Sequence, residues 1–151
     1  MKIIYFCTGR GFTQMEVKDI KPKRQAQTKV IVPSESVEQI NLFRWAAYTS
    51  GAHPELKLMY HVPNGGKRNL TTAKRLKAEG VKAGVPDIFL PVARSGYHGL
   101  YIELKKQKGN TTTDNQEFWL GELSKQGYQT TVCMGWEEAA KVILNYLENK
   151  N

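Results

Sequence analysis

The sequence predicts an α/β domain in which a mixed β-sheet is flanked by helices. From residue 34 onward, segments with helical and strand periodicity follow in the order helix, strand, short helix, strand, strand, helix, strand, helix. Such an alternation is typical of a sheet covered by helices. The chain has 151 residues, of which 40% are hydrophobic, and this is enough for one domain with its own core.

Residues 1–33 are predicted to form an N-terminal extension, and the domain is expected to span 34–151. Two strand-like segments, MKIIYFC and TQMEVKDI, flank a TGRG turn and indicate a β-hairpin. The basic connector KPKRQAQTK follows them. No chemistry can be assigned to this extension from its residues.

The domain opens with a helix that follows Pro33 and Ser34 and stops at Gly51. Four apolar residues at helical spacing predict the face of this helix that packs on the core: Val37, Ile40, Phe43 and Ala47. The next segment, LKLMYHV, has the composition of a strand and ends at the turn PNGGKRN. A short basic helix, AKRLKAEG, is then expected, with Thr71 or Thr72 as its cap.

The second half of the domain alternates strands with helices. DIFLPV and LYIELKK read as strands joined by a turn near Ser95 and Gly96, which predicts an antiparallel hairpin. Thr113 or Asp114 opens a helix that ends near 127, and YQTTVCM is a further strand. An amphipathic helix over 136–147 closes the domain.

The predicted hairpin brings two acidic residues together. Asp87 and Glu103 lie at equal distances from residue 95. They should therefore face each other across the two strands, or lie within about one strand residue (~3.4 Å) of that position if the register slips. The alternation of strand side chains places Lys105 on the same face. A surface network of salt bridges is the simpler explanation for such a cluster, but opposed carboxylates repel each other and need a reason to be there.

A divalent cation between the two carboxylates would supply that reason. The candidate ligands are hard oxygen atoms, and this favours Mg²⁺ or Mn²⁺ over zinc. A lysine beside such a site can orient a water molecule and stabilise developing phosphate charge. The cluster therefore predicts a metal-dependent phosphodiesterase site.

The motifs around these residues resemble those of the PD-(D/E)XK nuclease superfamily and, within it, of the VRR-NUC family. Pro86-Asp87 followed by Glu103-Leu104-Lys105 matches the superfamily's PD…ExK pattern. The closer resemblance, to the VRR-NUC family, is carried by four features: HVPNGGKRN, LKAEGVKAGVPD, the Gly–Gln–Trp spacing after IELKK and the QGYQTTVC strand. It covers roughly 34–147 and implies an αβββαβ core.

The resemblance also implies roles for individual residues. Asp87, Glu103 and the backbone carbonyl of Leu104 would bind the metal, and Lys105 would be the catalytic lysine. Gln116 would be the family's glutamine on the following helix, although a capping box with Thr113 explains the same residue structurally.

The family's glutamate near the start of the first helix has two candidates in this chain. Glu35, with Gln39, fits the family's E-x-x-x-Q pattern somewhat better, and Glu38 is the alternative one turn later on the same helical face. An acidic residue is in any case favoured at a helix N-terminus.

The charge of the chain points to a polyanionic partner. With 22 Lys+Arg against 14 Asp+Glu, the formal net charge is +8, which favours nucleic acid. The cations best placed to contact DNA lie in the turn PNGGKRN, here called the glycine turn, and in the short basic helix: Lys67, Arg68, Lys74, Arg75 and Lys77. The alternative is that these side chains are ordinary solvated ones.

These observations predict a Mg²⁺- or Mn²⁺-dependent DNA endonuclease. Resemblance to single-domain VRR-NUC proteins implies a homodimer that cuts branched DNA such as Holliday junctions, and such proteins suit a phage or mobile element. The alternatives are a restriction-type or structure-nonspecific nuclease, and an inactive DNA-binding module. The sequence contains no run of about 18 apolar residues and no secretory signal. Its two cysteines, Cys7 and Cys133, lie far apart in the chain. A cytoplasmic protein is therefore expected.

Overall fold

The chain divides into two compact units, Met1–Val30 and Ile31–Asn151. The computed structural model describes residues 3–8, 11–16, 32–63, 70–108 and 111–148. In the first unit, β1 (Ile3–Thr8) pairs antiparallel with β2 (Gly11–Glu16), which confirms the expected hairpin. The basic connector lies outside the described residues, and the domain boundary at residue 33 stays a prediction.

The second unit is built on a four-stranded sheet whose order is β3–β4–β5–β6. Its strands are β3 (Tyr60–His61), β4 (Ile88–Leu90), β5 (Leu100–Lys105) and β6 (Gln129–Met134). The first three strands pair antiparallel, while β5 and β6 pair parallel. The predicted mixed sheet is therefore confirmed.

Helices alternate with these strands. They are α1 (Glu35–Thr49), a 3₁₀ helix (Pro54–Leu58), α2 (Leu70–Ala78), α3 (Asp114–Lys125) and α4 (Trp136–Glu148). α1 begins after Ser34, whose hydroxyl accepts a hydrogen bond from the Val37 N–H at 3.4 Å. None of the helices in the described residues is long and apolar enough to cross a membrane.

The β4–β5 connection turns as the sequence predicts. Ser95 and Gly96 both have positive φ angles, 50° and 81°, as a type I′ hairpin turn requires. On either side of them, Arg94 and Tyr97 exchange backbone hydrogen bonds of 3.1 and 2.8 Å. Three residues separate Leu90 from Arg94 but only two separate Tyr97 from Leu100, so an extra residue on the β4 side shifts the strand register by one from that of the turn.

The core lies between one face of the sheet and helices α1 and α4. Its fully buried members come from β4, β5, β6 and both helices, and include Leu42, Ile88, Leu90, Leu100, Ile102, Cys133, Ala139 and Ile143. The buried stripe of α1 differs from the predicted one: Val37 and Ile40 are 44% and 48% exposed and Ala47 is exposed, whereas Phe43 packs against the core.

The stripe of α1 that is buried consists of Glu38, Leu42 and Ala46. These residues follow one another at i, i+4 spacing, so they form a continuous row on one side of the helix. The prediction was wrong because α1 is apolar on two sides, and the position of α4 decides which side is covered.

Two local predictions also need correction. Leu56 to Leu58 belong to the 3₁₀ helix and not to a strand, because Pro54 starts a helical turn and Leu56 and Met59, three residues apart, are both buried. The strand is reduced to two residues. α2 begins at Leu70, so Thr71 and Thr72 lie within its first turn and neither precedes it as a cap.

Candidate active site

The register of the β4–β5 hairpin brings the two predicted carboxylates together. Ile88 pairs with Ile102 and Phe89 with Tyr101. Continued by one residue, the same register places Asp87 opposite Glu103, and the alternation of side chains puts both on the face that does not pack on α1 and α4. Glu103 is only 2% exposed.

Asp87 is held by the strand opposite. Its Oδ2 accepts a hydrogen bond from the Leu104 N–H at 3.1 Å, so the N–H and C=O of Leu104 both point towards β4. Continued by two residues, the register places Pro86 opposite Leu104. Because proline has no N–H, Pro86 cannot donate to the Leu104 carbonyl, and this oxygen lies beside Asp87 as a possible ligand.

Lys105 completes the cluster from the same strand. Its Nζ lies 3.1 Å from Glu103 Oε1 and 3.0 Å from Gln116 Oε1, and the lysine is 6% exposed. A buried ammonium is tolerated because both of these partners are at hydrogen-bond distance.

Gln116 connects the cluster to the N-terminus of α3. Its side-chain nitrogen donates to Glu103 Oε1. Its Oε1 accepts from the Thr113 N–H at 2.9 Å, while the Thr113 hydroxyl accepts from the Gln116 N–H at 3.4 Å. The capping box and the contact with the acidic site therefore occur together, and Thr113 is the residue that caps α3.

Burial makes the two carboxylates difficult to ionise. Desolvation, followed by repulsion from Asp87, raises the pKa of Glu103 from 4.5 to about 7, although Lys105 partly opposes this shift. Desolvation also raises the pKa of Asp87, while the Leu104 N–H and Lys105 lower it. A site of this kind stabilises positive charge placed between the two acids.

The donor atoms present fit a hard divalent cation. Glu103 Oε2 is buried and has no hydrogen-bond partner among the described residues, a costly arrangement for a carboxylate without a ligand. No group of three or more His, Cys, Asp and Glu side chains suited to a metal is found in the described parts of the chain. A cation here would therefore be bound by two carboxylates, a backbone carbonyl and water, as Mg²⁺ often is.

The two glutamates of α1 occupy different environments. Glu35 is exposed, and its charge raises the pKa of both Asp87 and Glu103, so it lies close enough to act on the site. Glu38 is fully buried, and its Oε2 accepts from the Trp136 N–H at the start of α4 at 3.0 Å. Of these two glutamates, Glu35 is the one whose charge acts on the acidic pair.

Glu38 is connected to Lys105 through the backbone. The Gly135 N–H, next to Trp136, donates to the Lys105 carbonyl at 2.8 Å. Gly135 has a φ of 89°, which favours glycine. Glu38 thus ties α1 to the β6–α4 junction that fixes the end of β5.

The cations predicted to bind DNA are only partly described. Lys67 and Arg68 lie outside the described residues, while Lys74, Arg75 and Lys77 are exposed on α2. Arg75 forms an exposed ion pair with Glu79 at 3.6 Å. Lys74 and Lys77 are thus the α2 cations with no ion pair of this kind among the described side chains.

One residue near the site escaped the sequence reasoning. His61 Nδ1 lies 2.9 Å from the Asp87 carbonyl oxygen, and the charge of His61 lowers the pKa of Asp87. His61 lacks metal-ligand spacing to the other histidines of the chain, so its place in the sequence does not indicate this contact. Its position at the end of the strand that pairs with β4 was the available clue.

Comparison with known proteins agrees with this geometry. Residues 33–137 match the family model of the VRR-NUC domain. A solved structure described as a VRR_NUC domain protein superimposes with a TM-score of 0.70 at 29% sequence identity, over 81% of this chain and 94% of that chain. No curated protein matches the sequence.

The match covers well over half of the chain and includes the acidic pair, Lys105 and Gln116. A VRR-NUC domain is a nuclease domain, so the function is of the nuclease type, with DNA as the partner. The TM-score of 0.70 over 81% of this chain shows that the two proteins share a fold. This chain belongs to the VRR-NUC family.

Proposed function

We propose that the protein is a metal-dependent DNA endonuclease that hydrolyses phosphodiester bonds at the Asp87–Glu103 site. The observation that carries this proposal is the buried Oε2 of Glu103, which has no hydrogen-bond partner in the described part of the chain and lies across the hairpin from Asp87. A fold gains no stability from opposed carboxylates on one sheet face. A bound cation turns the same arrangement into a favourable one.

Asp87, Glu103 and the Leu104 carbonyl would hold Mg²⁺ or Mn²⁺. When bound, the cation supplies charge neutralisation at the phosphate and a lower pKa for a coordinated water. The Leu104 N–H keeps Asp87 turned towards that site. The oxygen-only donor set is the reason to prefer these ions over zinc.

Lys105 and Gln116 would position the remaining groups of the reaction. Lys105 carries a positive charge on the face where a phosphate has to lie, so it can orient the attacking water and stabilise charge that develops on the phosphate. Gln116 contacts both Lys105 and Glu103. It therefore keeps the ammonium and the carboxylate at a fixed separation.

Glu35 is the first-helix acid of this proposal, and Glu38 is not. Glu35 is exposed and acts electrostatically on both carboxylates. Its carboxylate can accept a proton or bind a water of the cation's shell. Glu38 accepts from the Trp136 N–H at the N-terminus of α4 through its Oε2. Its Oε1 is buried and, like Glu103 Oε2, has no hydrogen-bond partner among the described residues.

The DNA is proposed to contact the basic residues of the glycine turn and α2. Lys74 and Lys77 are exposed there, and the chain carries a formal net charge of +8. Arg75 belongs to the same proposed surface, and Lys67 and Arg68, which lie outside the described residues, are proposed to bind DNA as well. Contacts of this kind bind phosphates without reading sequence, and their affinity falls with added salt.

The proposed substrate is branched DNA such as a Holliday junction, cut by a homodimer that places one site on each of two strands. Support for this finer assignment comes from the resemblance to single-domain VRR-NUC nucleases. A restriction-type nuclease, a nuclease without structural preference and an inactive DNA-binding module are the competing possibilities.

The decisive experiment compares a labelled four-way junction with a linear duplex of the same sequence. Each is incubated with the wild-type protein and with Lys105→Ala, in Mg²⁺, in Mn²⁺ and in EDTA. Junction cutting that needs the metal and disappears in Lys105→Ala is the expected result. Sedimentation of the protein at the assay concentration tests the homodimer, and a strict monomer would contradict paired cutting.

The other outcomes separate the alternatives. Equal cutting of the duplex keeps the chemistry and removes the junction preference. Discrete fragments from plasmid DNA would indicate a restriction-type nuclease. Binding without cutting under every condition would indicate an inactive DNA-binding module.

A further inference from the structure

A row of aromatic rings crosses the sheet beside the acidic pair. Tyr60, Phe89 and Tyr101 are register partners on β3, β4 and β5. The rings of Phe89 and Tyr101 stack at 4.1 Å between centroids with 14° between their planes, and Tyr60 meets Phe89 edge-on at 5.7 Å. We call these three residues the aromatic row.

The aromatic row lies on the same sheet face as the acidic pair. Phe89 is two residues from Asp87 along β4, and Tyr101 is two residues from Glu103 along β5. Side chains two residues apart point to the same face and are ~7 Å apart. A DNA strand whose phosphate lies at the carboxylates therefore passes close to these rings.

The row becomes more exposed towards the edge of the sheet. Tyr60 is 50% exposed on the edge strand β3, while Phe89 and Tyr101 are half-buried. On the opposite face of the same strands, Ile88, Leu90 and Ile102 are completely buried. The aromatic face is thus not an ordinary core, and its outermost ring is open to solvent.

Tyr128 supports the inner end of the row. Its ring makes edge contacts with Phe89 at 5.7 Å and with Tyr101 at 5.3 Å. Each such contact adds to the stability of an aromatic cluster. The inner rings are therefore held rigidly, and Tyr60 is presented from a fixed support.

We propose that the aromatic row is a stacking platform for an unpaired base of the DNA strand held at the acidic pair. This inference rests on the proposed function and deepens it, because it names a feature of DNA that the site prefers. An aromatic ring stacks on any base whose face is free, and a continuous duplex offers such a face only at its ends. Branch points and gaps offer it internally.

DNA is the occupant that the observations favour. The row is continuous with the acidic pair of a nuclease domain, and the chain as a whole is strongly basic. An apolar protein partner at this position would have to lie over the catalytic face. A base, by contrast, reaches the row when its own strand occupies the site.

The test measures DNA affinity in a Lys105→Ala background with Mg²⁺, so that cutting does not interfere. The two DNAs are a blunt duplex and a duplex of equal length with a short internal gap, with 2-aminopurine opposite the gap as a stacking reporter. The variants are Tyr60→Ala, Tyr60→Leu and Tyr60→Phe. Tyr48→Ala is the matched control, since Tyr48 is 89% exposed on α1.

Tyr60→Ala and Tyr60→Leu are expected to weaken binding to gapped DNA by about five-fold or more, which corresponds to ~1 kcal/mol for one stacked base. They should also abolish the quenching of 2-aminopurine fluorescence that stacking on the Tyr60 ring is expected to cause. Binding to the blunt duplex should change less than about two-fold. Tyr60→Phe and Tyr48→Ala should behave like the parent protein, and thermal melting checks that every variant is folded.

The inference is overturned if Tyr60→Ala matches Tyr48→Ala, or if it weakens both DNAs equally. It is also overturned if Tyr60→Leu retains full affinity, since that variant keeps apolar bulk and lacks an aromatic face. Wild-type cleavage of both DNAs is recorded in parallel. If the wild type cuts DNA and the Tyr60 substitutions have no effect, only the stacking platform is ruled out. If the wild type neither binds nor cuts DNA, the proposed function itself is ruled out.

Discussion

The two faces of the β4–β5 hairpin are made from alternate residues of the same strands, yet they differ in almost every physical respect. One face carries Ile88, Leu90 and Ile102, all completely buried against the helices. The other carries Asp87, Glu103 and Lys105, whose charges are desolvated and crowded. The first face stabilises the fold, and the second one costs stability until a ligand arrives.

This difference shows how a small domain supports an unfavourable site. The strand period of two residues separates the two tasks without requiring separate elements. The aliphatic face holds the hairpin rigid, so the opposed carboxylates cannot move apart to relieve their repulsion. Four predictions test this division of tasks, in order of decreasing expected effect.

The largest effect is expected for Asp87→Asn on cleavage. The amide keeps an oxygen that accepts the Leu104 N–H but removes the charge that would bind a cation. Cleavage should fall by a factor of roughly 10³ or more, ~4 kcal/mol in activation free energy. Single-turnover cleavage rates measure it.

The same variant should not harm the fold. In EDTA its melting temperature is expected to equal or exceed that of the wild type, because the repulsion with Glu103 is gone. A melting temperature several degrees lower would show that the Asp87 charge serves the fold.

A truncation on the opposite face should act on stability first. Ile102→Ala removes buried methyl groups from a fully packed position and should lower the free energy of unfolding by about 2–5 kcal/mol. Urea denaturation measures this, with the milder Ile102→Val as the control. If the alanine variant were as stable as the wild type, the aliphatic face would not be the part that holds the hairpin.

The buried glutamate of α1 should behave as a structural residue. Glu38→Ala leaves the Trp136 N–H without its acceptor, which should cost about 1–3 kcal/mol in unfolding free energy. Glu38→Gln retains an oxygen acceptor and should cost much less. If Glu38→Gln folded normally but lost cleavage as fully as Asp87→Asn, the assignment of Glu35 as the first-helix acid would be wrong.

The final effect concerns pH and is similar in size to that of Glu38→Ala. The pKa of Glu103 is raised from 4.5 to about 7 in the folded protein, so the folded state holds this proton more tightly than the unfolded state. Without metal, stability should therefore fall as the pH rises from about 4.5 through 7. The expected loss over this range is about 3 kcal/mol, or ~6–12 °C in Tm for a domain of this size.

Melting curves of the wild type and Glu103→Gln in EDTA, at pH 5 and pH 8, isolate this contribution. The glutamine variant should gain relative to the wild type as the pH rises. Added Mg²⁺ or Mn²⁺ should stabilise the wild type more at pH 8 than at pH 5, because a cation competes with the proton for Glu103. Parallel pH dependences of the two proteins would contradict the raised pKa.

Much of the site was predictable because it is local in the chain. The turn near Ser95 and Gly96 and the alternation in the two strands were enough to place Asp87 opposite Glu103 to within one residue, with Lys105 beside them. The helix capped by Thr113 follows closely, so Gln116 was also within reach of sequence reasoning. The contact of His61 with Asp87 was not, because it depends on pairing with a distant strand.

The sequence by itself determined the order of the main helices and strands and, to within one residue, the pairing of β4 with β5 that opposes the two acids. Only the tertiary structure decided which side of α1 is buried, which of its two glutamates lies near the acidic pair, and that Gln116 caps α3 while contacting Glu103. The physical reason is the range of the interactions. Turn geometry and strand alternation act between near neighbours in the chain. The face that a helix buries depends instead on partners that are distant in the sequence, as Trp136 is from Glu38.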